Sequence, residues 1–278
     1  MGGGLQQWFV WGSYSQQKMF IEAVLEVDNL VFKPQSELKN PKYKKIKLFD
    51  AGWVNIVLPP PPNNSSKQTL DEIKFIQKLV ANATDEVKQQ FINCDHDPWY
   101  YIKEVLSENN FDYKDETIEK LEESIKPIYN HYKGHFNRPR PYQVAEFLNI
   151  KFEKFKSGTA NTPSYPSGHC VLAYAVGNYY TKLYPEVAED LRKAADICAY
   201  GRCEAGLHYP SDYRAGVQLA DAMMEYLNFD MISEDAPMNS TGSAVSTDTP
   251  LVKSRSLYRR KNQEYSKHLD KLLRKRYN

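Results

Sequence analysis

Three short stretches of this 278-residue chain hold side chains whose types and spacing could do chemistry. The first is Lys133-Gly134-His135-Phe136-Asn137-Arg138-Pro139-Arg140-Pro141, the second Pro166-Ser167-Gly168-His169, and the third runs from Arg202 through Gly206-Leu207-His208-Tyr209-Pro210-Ser211 to Asp212. They gather three of the six histidines with Lys133, Arg140, Arg202 and a Ser-Gly turn, a set suited to a tetrahedral oxyanion. Phosphoryl transfer is mostly a matter of placing a nucleophile in line and spreading cationic donors over the equatorial oxygens. Lys133, Arg140 and Arg202 can supply that charge, the arginines through planar forks that match phosphate oxygens. Ser167 and Gly168 sit where a turn opens a helix, so backbone N–H groups and the helix dipole would face the same anion.

The third stretch also offers a reacting group. His208 and Asp212 are four apart and would meet on a helical turn or a looser one. A carboxylate on one imidazole nitrogen fixes the tautomer and frees the other nitrogen to attack phosphorus. His169 is then available to protonate the leaving oxygen. Taken singly these are ordinary residues: a lone arginine is a solvated surface charge, a lone histidine a core or surface residue. Their joint occurrence as Lys-x6-Arg-Pro, Pro-Ser-Gly-His and Arg-x5-His-x3-Asp is what points to a site.

The elements that must position these residues read as helices. Thr69 with Glu72 makes a capping-box pattern ahead of Ile73, Ile76, Leu79 and Val80 on one face. Asp97-Pro98 reads as an N-cap and first-turn proline for a helix through Leu106. Ile118, Leu121, Ile125, Ile128 and Tyr132 form a stripe leading to Lys133, bent at Pro127. Helices follow from Gly168 to near Pro185, through Leu191 to Arg202, and from Asp212 past Leu219. No alternation of strands and helices suggests a parallel sheet, and the expected fold class is all-α. Residues 1–58 are read as an irregular N-terminal extension of short strands or a packed arm. Four prolines from Pro59 to Pro62 punctuate the chain, and residues 59–230 are expected to be the helical domain.

Residues 231–252 turn to Ser, Thr, Asn, Asp, Pro and Gly and are read as a polar linker. The segment 253–278 is read as a basic tail helix, with ten Lys/Arg against Glu264 and Asp270, a net +8 in a chain of net +1. A polyanion or a protein is the expected partner of that tail, and a homo-oligomer stays open. No apolar run approaches the roughly 18 residues of a membrane span, and no secretory signal is visible, so the expected location is cytoplasmic or otherwise soluble. Four scattered cysteines without Cys-x-x-Cys spacing fit reduced thiols.

Together the three stretches resemble the signature of the type 2 phosphatidic acid phosphatase and vanadium haloperoxidase superfamily, in the expected order. Leu58-Pro59-Pro60-Pro61-Pro62 and Ala205-Gly206-Leu207-His208-Tyr209-Pro210-Ser211-Asp212 are most similar to the soluble bacterial class A non-specific acid phosphatases. The resemblance covers roughly residues 55 to 230. It implies a helical bundle with the site at its core, hydrolysis of a small phosphorylated substrate, no metal and a phosphohistidine intermediate. It further implies His208 as nucleophile, Asp212 as its orienter and His169 as general acid, then base. Lys133, Arg140, Ser167, Gly168 and Arg202 would bind the phosphoryl oxygens. Gly201 stands where the family usually has serine, which removes a minor hydroxyl near the site. No cofactor is expected; vanadate would act as an inhibitor or, in the alternative reading as a haloperoxidase, as the cofactor in the same cradle. A third reading is a structural or assembly protein that carries a phosphatase-like domain.

Overall fold

A computed structural model of the protein describes residues 14–32 and 46–233. Most of the linker and the whole basic tail read from the sequence lie outside these residues. The helices are α1 (Tyr14–Asp28), α2 (Lys67–Ala81), α3 (Asp85–His96), α4 (Tyr100–Glu108), α5 (Asp115–Phe136), α6 (Pro141–Phe147), α7 (Gly168–Leu183), α8 (Ala188–Glu204), α9 (Pro210–Met223) and the short α10 (Asp230–Ser233). Among the described residues, β-structure is limited to one antiparallel bridge, Phe49 with Leu227, so the fold is all-helical.

The sequence of α7 explains why it sits at the centre. Cys170, Val171, Leu172, Ala173, Tyr174, Ala175, Val176, Tyr179 and Tyr180 are all buried, on every face of the helix. A helix apolar all round has to be enclosed, and α4, α5, α8 and α9 pack against α7. Each large apolar side chain so buried contributes about 1.5–3 kcal/mol. Contact with α9 is close because Gly216 has no side chain: a Cβ there would lie 2.7 Å from Cys170 Cβ.

Helix α5 delivers the first site residues. Its first turn carries Asp115 and Glu116 and its last Lys133 and His135, complementing the helix dipole at both ends. Ile118, Leu121, Ile125, Ile128 and Tyr132 are buried, as their spacing predicts, and Pro127 lies within the helix. Asn137 closes it with φ 43°, a left-handed C-cap that turns the chain into Arg138-Pro139-Arg140.

Two helix starts differ from the sequence reading. Helix α2 is capped by Ser66, whose Oγ accepts from the Thr69 amide, and not by Thr69 with Glu72. The chain leaves the proline segment early enough for Ser66 to take that position, which turns both Thr69 and Glu72 inward; Thr69 donates to the Asn63 carbonyl at 2.8 Å. Helix α4 begins at Tyr100, because Asp97 to Trp99 form the turn before it and the Asp97 carbonyl accepts from the Tyr100 amide.

The N-terminal residues also differ. Residues 14–28 are helical, not strands, and residues 27–32 pack onto the main body: Val27 and Phe32 are buried, and Asn64 Nδ2 donates to the Val27 and Leu30 carbonyls. Leu48, Phe49 and Trp53 are buried as well, and Ile232 lies within what was read as the linker yet is 1% exposed. The described residues all lie in one compact unit.

Candidate active site

The N-terminus of α9 sets the geometry of the third stretch. Pro210 opens the helix, and Asp212 sits in its first turn, where Oδ2 accepts from the Tyr209 amide at 2.9 Å. The same oxygen is 3.1 Å from His208 Nδ1. His208 therefore meets Asp212 across a helix start, the looser of the two turns the spacing allowed. Gly206 makes the preceding bend with φ 78°, where an added Cβ would lie 2.9 Å from the Glu153 carbonyl.

On the other side of the ring, Arg140 Nη1 lies 2.9 Å from His208 Nε2. Arginine can only donate, so Nε2 is the acceptor and Nδ1 carries the proton toward Asp212. Arg140 is held by the Thr162 and Leu207 carbonyls at 2.9 and 3.0 Å. Lys133 Nζ donates to the Pro163 carbonyl. Both cations are buried and, among the described residues, neither makes an ion pair with a carboxylate; the loop joining α6 to α7 and the turn before His208 hold them through neutral carbonyls. Arg202 differs: Nη1 donates to Asp95 Oδ1 at 2.6 Å, and Nη2 reaches Ser157 and Thr159.

Ser167 caps α7, its Oγ accepting from the Cys170 amide, while its own amide donates to the Asp212 carbonyl at 3.1 Å. That amide, read from the sequence as a donor to the anion, is thus spent on joining α7 to α9. Gly168 is buried at the first position of α7, where a Cβ would press to 3.1 Å on the Tyr129 ring and 3.5 Å on Lys133 Cε. His169 follows, half-buried, with Nε2 2.9 Å from the Asp95 carbonyl oxygen. A carbonyl only accepts, so Nε2 carries the proton and Nδ1 is the nitrogen left for proton transfer.

Residues 125–225 match the model of the PAP2 superfamily. This span is similar to that superfamily. The eight residues singled out from the sequence, Lys133 to Asp212, all fall inside it. The chain is also 32% identical over 98 residues to an acid phosphatase of Zymomonas mobilis; the match covers 35% of this chain and 37% of that relative. Among solved structures it is similar to a bacterial vanadium-dependent iodoperoxidase, at 18% identity and a TM-score of 0.48, over 66% of this chain and 53% of that one. A transmembrane PAP2-type phosphatidylglycerolphosphate phosphatase from Bacillus subtilis matches at 14% identity and a TM-score of 0.37, over 60% and 88%. No helix among the described residues is long and apolar enough to cross a membrane.

The electrostatics of the site follow from burying these charges together. Burial, then Arg140, pushes the Lys133 ammonium well below its usual range, against a pull from Asp212. Burial and Arg202 bring Arg140 down to about 10. His208 and His169 are both pushed well below the usual imidazole range, His208 by burial and then by Arg140 and Lys133, His169 by burial and then by Arg202. Burial also pushes the Asp95 carboxyl up, but Arg202, Ser157 and Thr159 outweigh it and hold Asp95 well below the carboxylate range. An incoming dianion would relieve the repulsion among these cations.

Three residues at the site were not singled out from the sequence. Asp95, in the last turn of α3, anchors Arg202 through its side chain and His169 through its carbonyl. Ser164 donates its hydroxyl to Asp212 Oδ2. Arg138 donates to Asp212 Oδ1 at 2.7 Å. Only Arg138 carried a signal, as a second arginine in the Arg-Pro-Arg-Pro run. Gly201, expected to remove a hydroxyl near the site, has open space where a Cβ would stand.

Proposed function

We propose that the protein is a phosphomonoesterase that transfers the phosphoryl group first to His208 and then to water. The observation that carries this reading is the setting of His208 Nε2, which is unprotonated, backed by Asp212 on the opposite nitrogen and faced by Arg140 beside Lys133, two buried cations without carboxylate partners among the described residues. A phosphoryl dianion supplies the missing counter-charge, draws Arg140 onto its oxygens and brings phosphorus to the unprotonated Nε2 of His208.

In the first step Nε2 forms a bond to phosphorus as the bond to the ester oxygen breaks, and His169 gives that oxygen its proton. Lys133, Arg140 and Arg202 spread over the three equatorial oxygens, with the first-turn amides of α7 completing the cradle. In the second step water attacks phosphorus, the N–P bond breaks and His169 takes the water's proton. Burial and Arg202 disfavour the charged form of His169, and a bound dianion raises its affinity for the proton it must deliver. The charges used in these steps belong to side chains, and the similarity to a protein named acid phosphatase points to the same class of ester.

Release of phosphate from a panel of phosphomonoesters, measured with a chelator present from pH 4 to 8, tests the reading. Hydrolysis that survives chelator and disappears in His208→Ala supports it. Chelator-sensitive hydrolysis, or bromide and iodide oxidation by peroxide after adding vanadate with no ester hydrolysis, would replace it.

A further inference from the structure

Arg138 is 2% exposed, and both terminal nitrogens of its guanidinium have side-chain partners, while Nε has none among the described residues. Nη1 donates to both Asp212 Oδ1 and Ser211 Oγ at 2.7 Å, Nη2 lies 3.5 Å from Thr69 Oγ1 and 4.0 Å from Glu72 Oε2, and the plane covers the Tyr209 ring at 3.8 Å. None of these contacts is with the cations of the cradle. We propose that Arg138 is a positioning residue of this site, clamping the Asp212 carboxylate against His208 as its counter-ion; the inference rests on His208 being the reacting group.

The two oxygens of Asp212 have separate partners. Oδ2 takes the Ser164 hydroxyl, the Tyr209 amide and His208 Nδ1, while among the described residues Oδ1 takes only Arg138. Asp212 is completely buried, and burial pushes its carboxyl up; Arg138 is the largest influence in the opposite direction. Lys133, Arg140, Tyr165, Cys203 and Tyr209 also act on Asp212. Glu72 stands behind Arg138, tied by Ser211 Oγ at 2.6 Å and Arg214 at 3.0 Å, so one guanidinium is shared between two buried carboxylates. Remove the guanidinium, and Asp212 gains a proton more readily and no longer orients an imidazole; remove the charge of Glu72, and Arg138 acts on Asp212 alone. The two changes push the proton affinity of the Asp212–His208 pair in opposite directions.

The test compares Arg138→Gln, Arg138→Lys and Glu72→Gln with the wild type, reading the pH profile of kcat/KM for a phosphomonoester and the inhibition constant of inorganic phosphate. Arg138→Gln should move the acid limb up by about one pH unit or more, lower kcat at least about tenfold at pH 5, and leave phosphate inhibition within about threefold. Arg138→Lys should recover part of the loss, and Glu72→Gln should move the limb down. Acid limbs that stay put in these variants, or phosphate inhibition weakened tenfold in Arg138→Gln, would overturn the proposal. If Arg138→Gln does not fold, Arg138→Lys and Glu72→Gln decide by the same criterion. Nitrogen-15 spectra of the His208 ring, recorded without substrate, separate this inference from the proposed activity. The Nδ1–H tautomer in the wild type and its loss in Arg138→Gln support the clamp even if no ester is hydrolysed, and a ring signal indifferent to Arg138 sinks it.

Discussion

Arg140 and His208 face each other at 2.9 Å, guanidinium nitrogen to imidazole nitrogen, in the interior of a helical bundle. The contact marks His208 Nε2 as the unprotonated nitrogen and places a phosphate-binding fork beside it. Replacing His208 with alanine should abolish hydrolysis and acid-labile phosphoryl labelling for every leaving group. Rapid-quench labelling with a radioactive ester checks this, and label retained in His208→Ala would move the nucleophile elsewhere.

His169 should fail differently. Its Nε2 is committed to the Asp95 carbonyl, which leaves Nδ1 to serve the leaving oxygen. His169→Ala should lose about 10²–10⁴-fold on esters of poorly leaving alcohols and much less on esters of acidic phenols. With a phenyl ester of low leaving-group pKa the phosphoenzyme should accumulate, since the second step also needs the base. Equal losses across a series of leaving groups would remove His169 from this role.

Asp95 is predicted to matter to Arg202 more than its distance from His208 suggests. In Asp95→Ala the buried Arg202 loses its ion pair while Ser157, Thr159 and the Gly158 amide lose their acceptor. Breaking such a pair costs about 3–5 kcal/mol of stability. The KM for the ester should rise with the loss of a fixed phosphate fork, and thermal unfolding with steady-state kinetics reads both effects. An unchanged melting temperature together with an unchanged KM would show that Arg202 holds its place without Asp95.

The empty protein should lose stability on mild acidification, and phosphate should restore it. His208 and His169 have folded pKa values below the ordinary 6.5, so the unfolded chain binds more protons as pH falls through that value. Stability therefore declines below about pH 6.5, the sign linkage gives when the unfolded state holds the extra protons. His131, also depressed by burial, adds to this fall, whereas Asp212, Asp97 and Glu204, whose carboxyls burial raises, Glu204 to about 7, run the other way; the share that phosphate reverses belongs to the two histidines beside it. Melting curves from pH 7.5 to 5, with and without inorganic phosphate, should show a stabilisation by phosphate that grows as pH falls; a phosphate effect that is the same at pH 5 and pH 7.5 would contradict the depressed histidines.

Much of this was legible in the chain itself, and the reasons differ by residue. The stripe from Ile118 to Tyr132 is readable because a 22-residue helix with one buried face repeats its signal many times. Lys133, Arg140, Ser167, Gly168, His169, Arg202, His208 and Asp212 stand in fixed spacings within three short stretches. Asp95 carries no such mark. It lies 107 positions from Arg202, and only the packing of α3 on α8 brings the two together. Ser164 is similarly silent, a hydroxyl in a loop whose path depends on Arg138 accepting the Ser164 amide at its carbonyl. The cap of α2 was misread because Thr69 and Glu72 satisfy a local pattern that tertiary contacts with Arg138 and Ser211 override.

The clasp between Asn64 and residues 27–30 bears on where a shortened chain should begin. The four prolines invite a start at residue 59. Yet Ser65 donates amide and hydroxyl to Asp28, and the Phe32 amide reaches the carbonyl of Asn137, the residue whose left-handed turn launches Arg138 and Arg140. Cutting at the prolines would remove a brace from the arginine turn and uncover the sites of Val27, Phe32, Leu48, Phe49 and Trp53. The safer place to begin is ahead of α1, before Tyr14, because the visible punctuation of the sequence falls inside a continuous piece of packing.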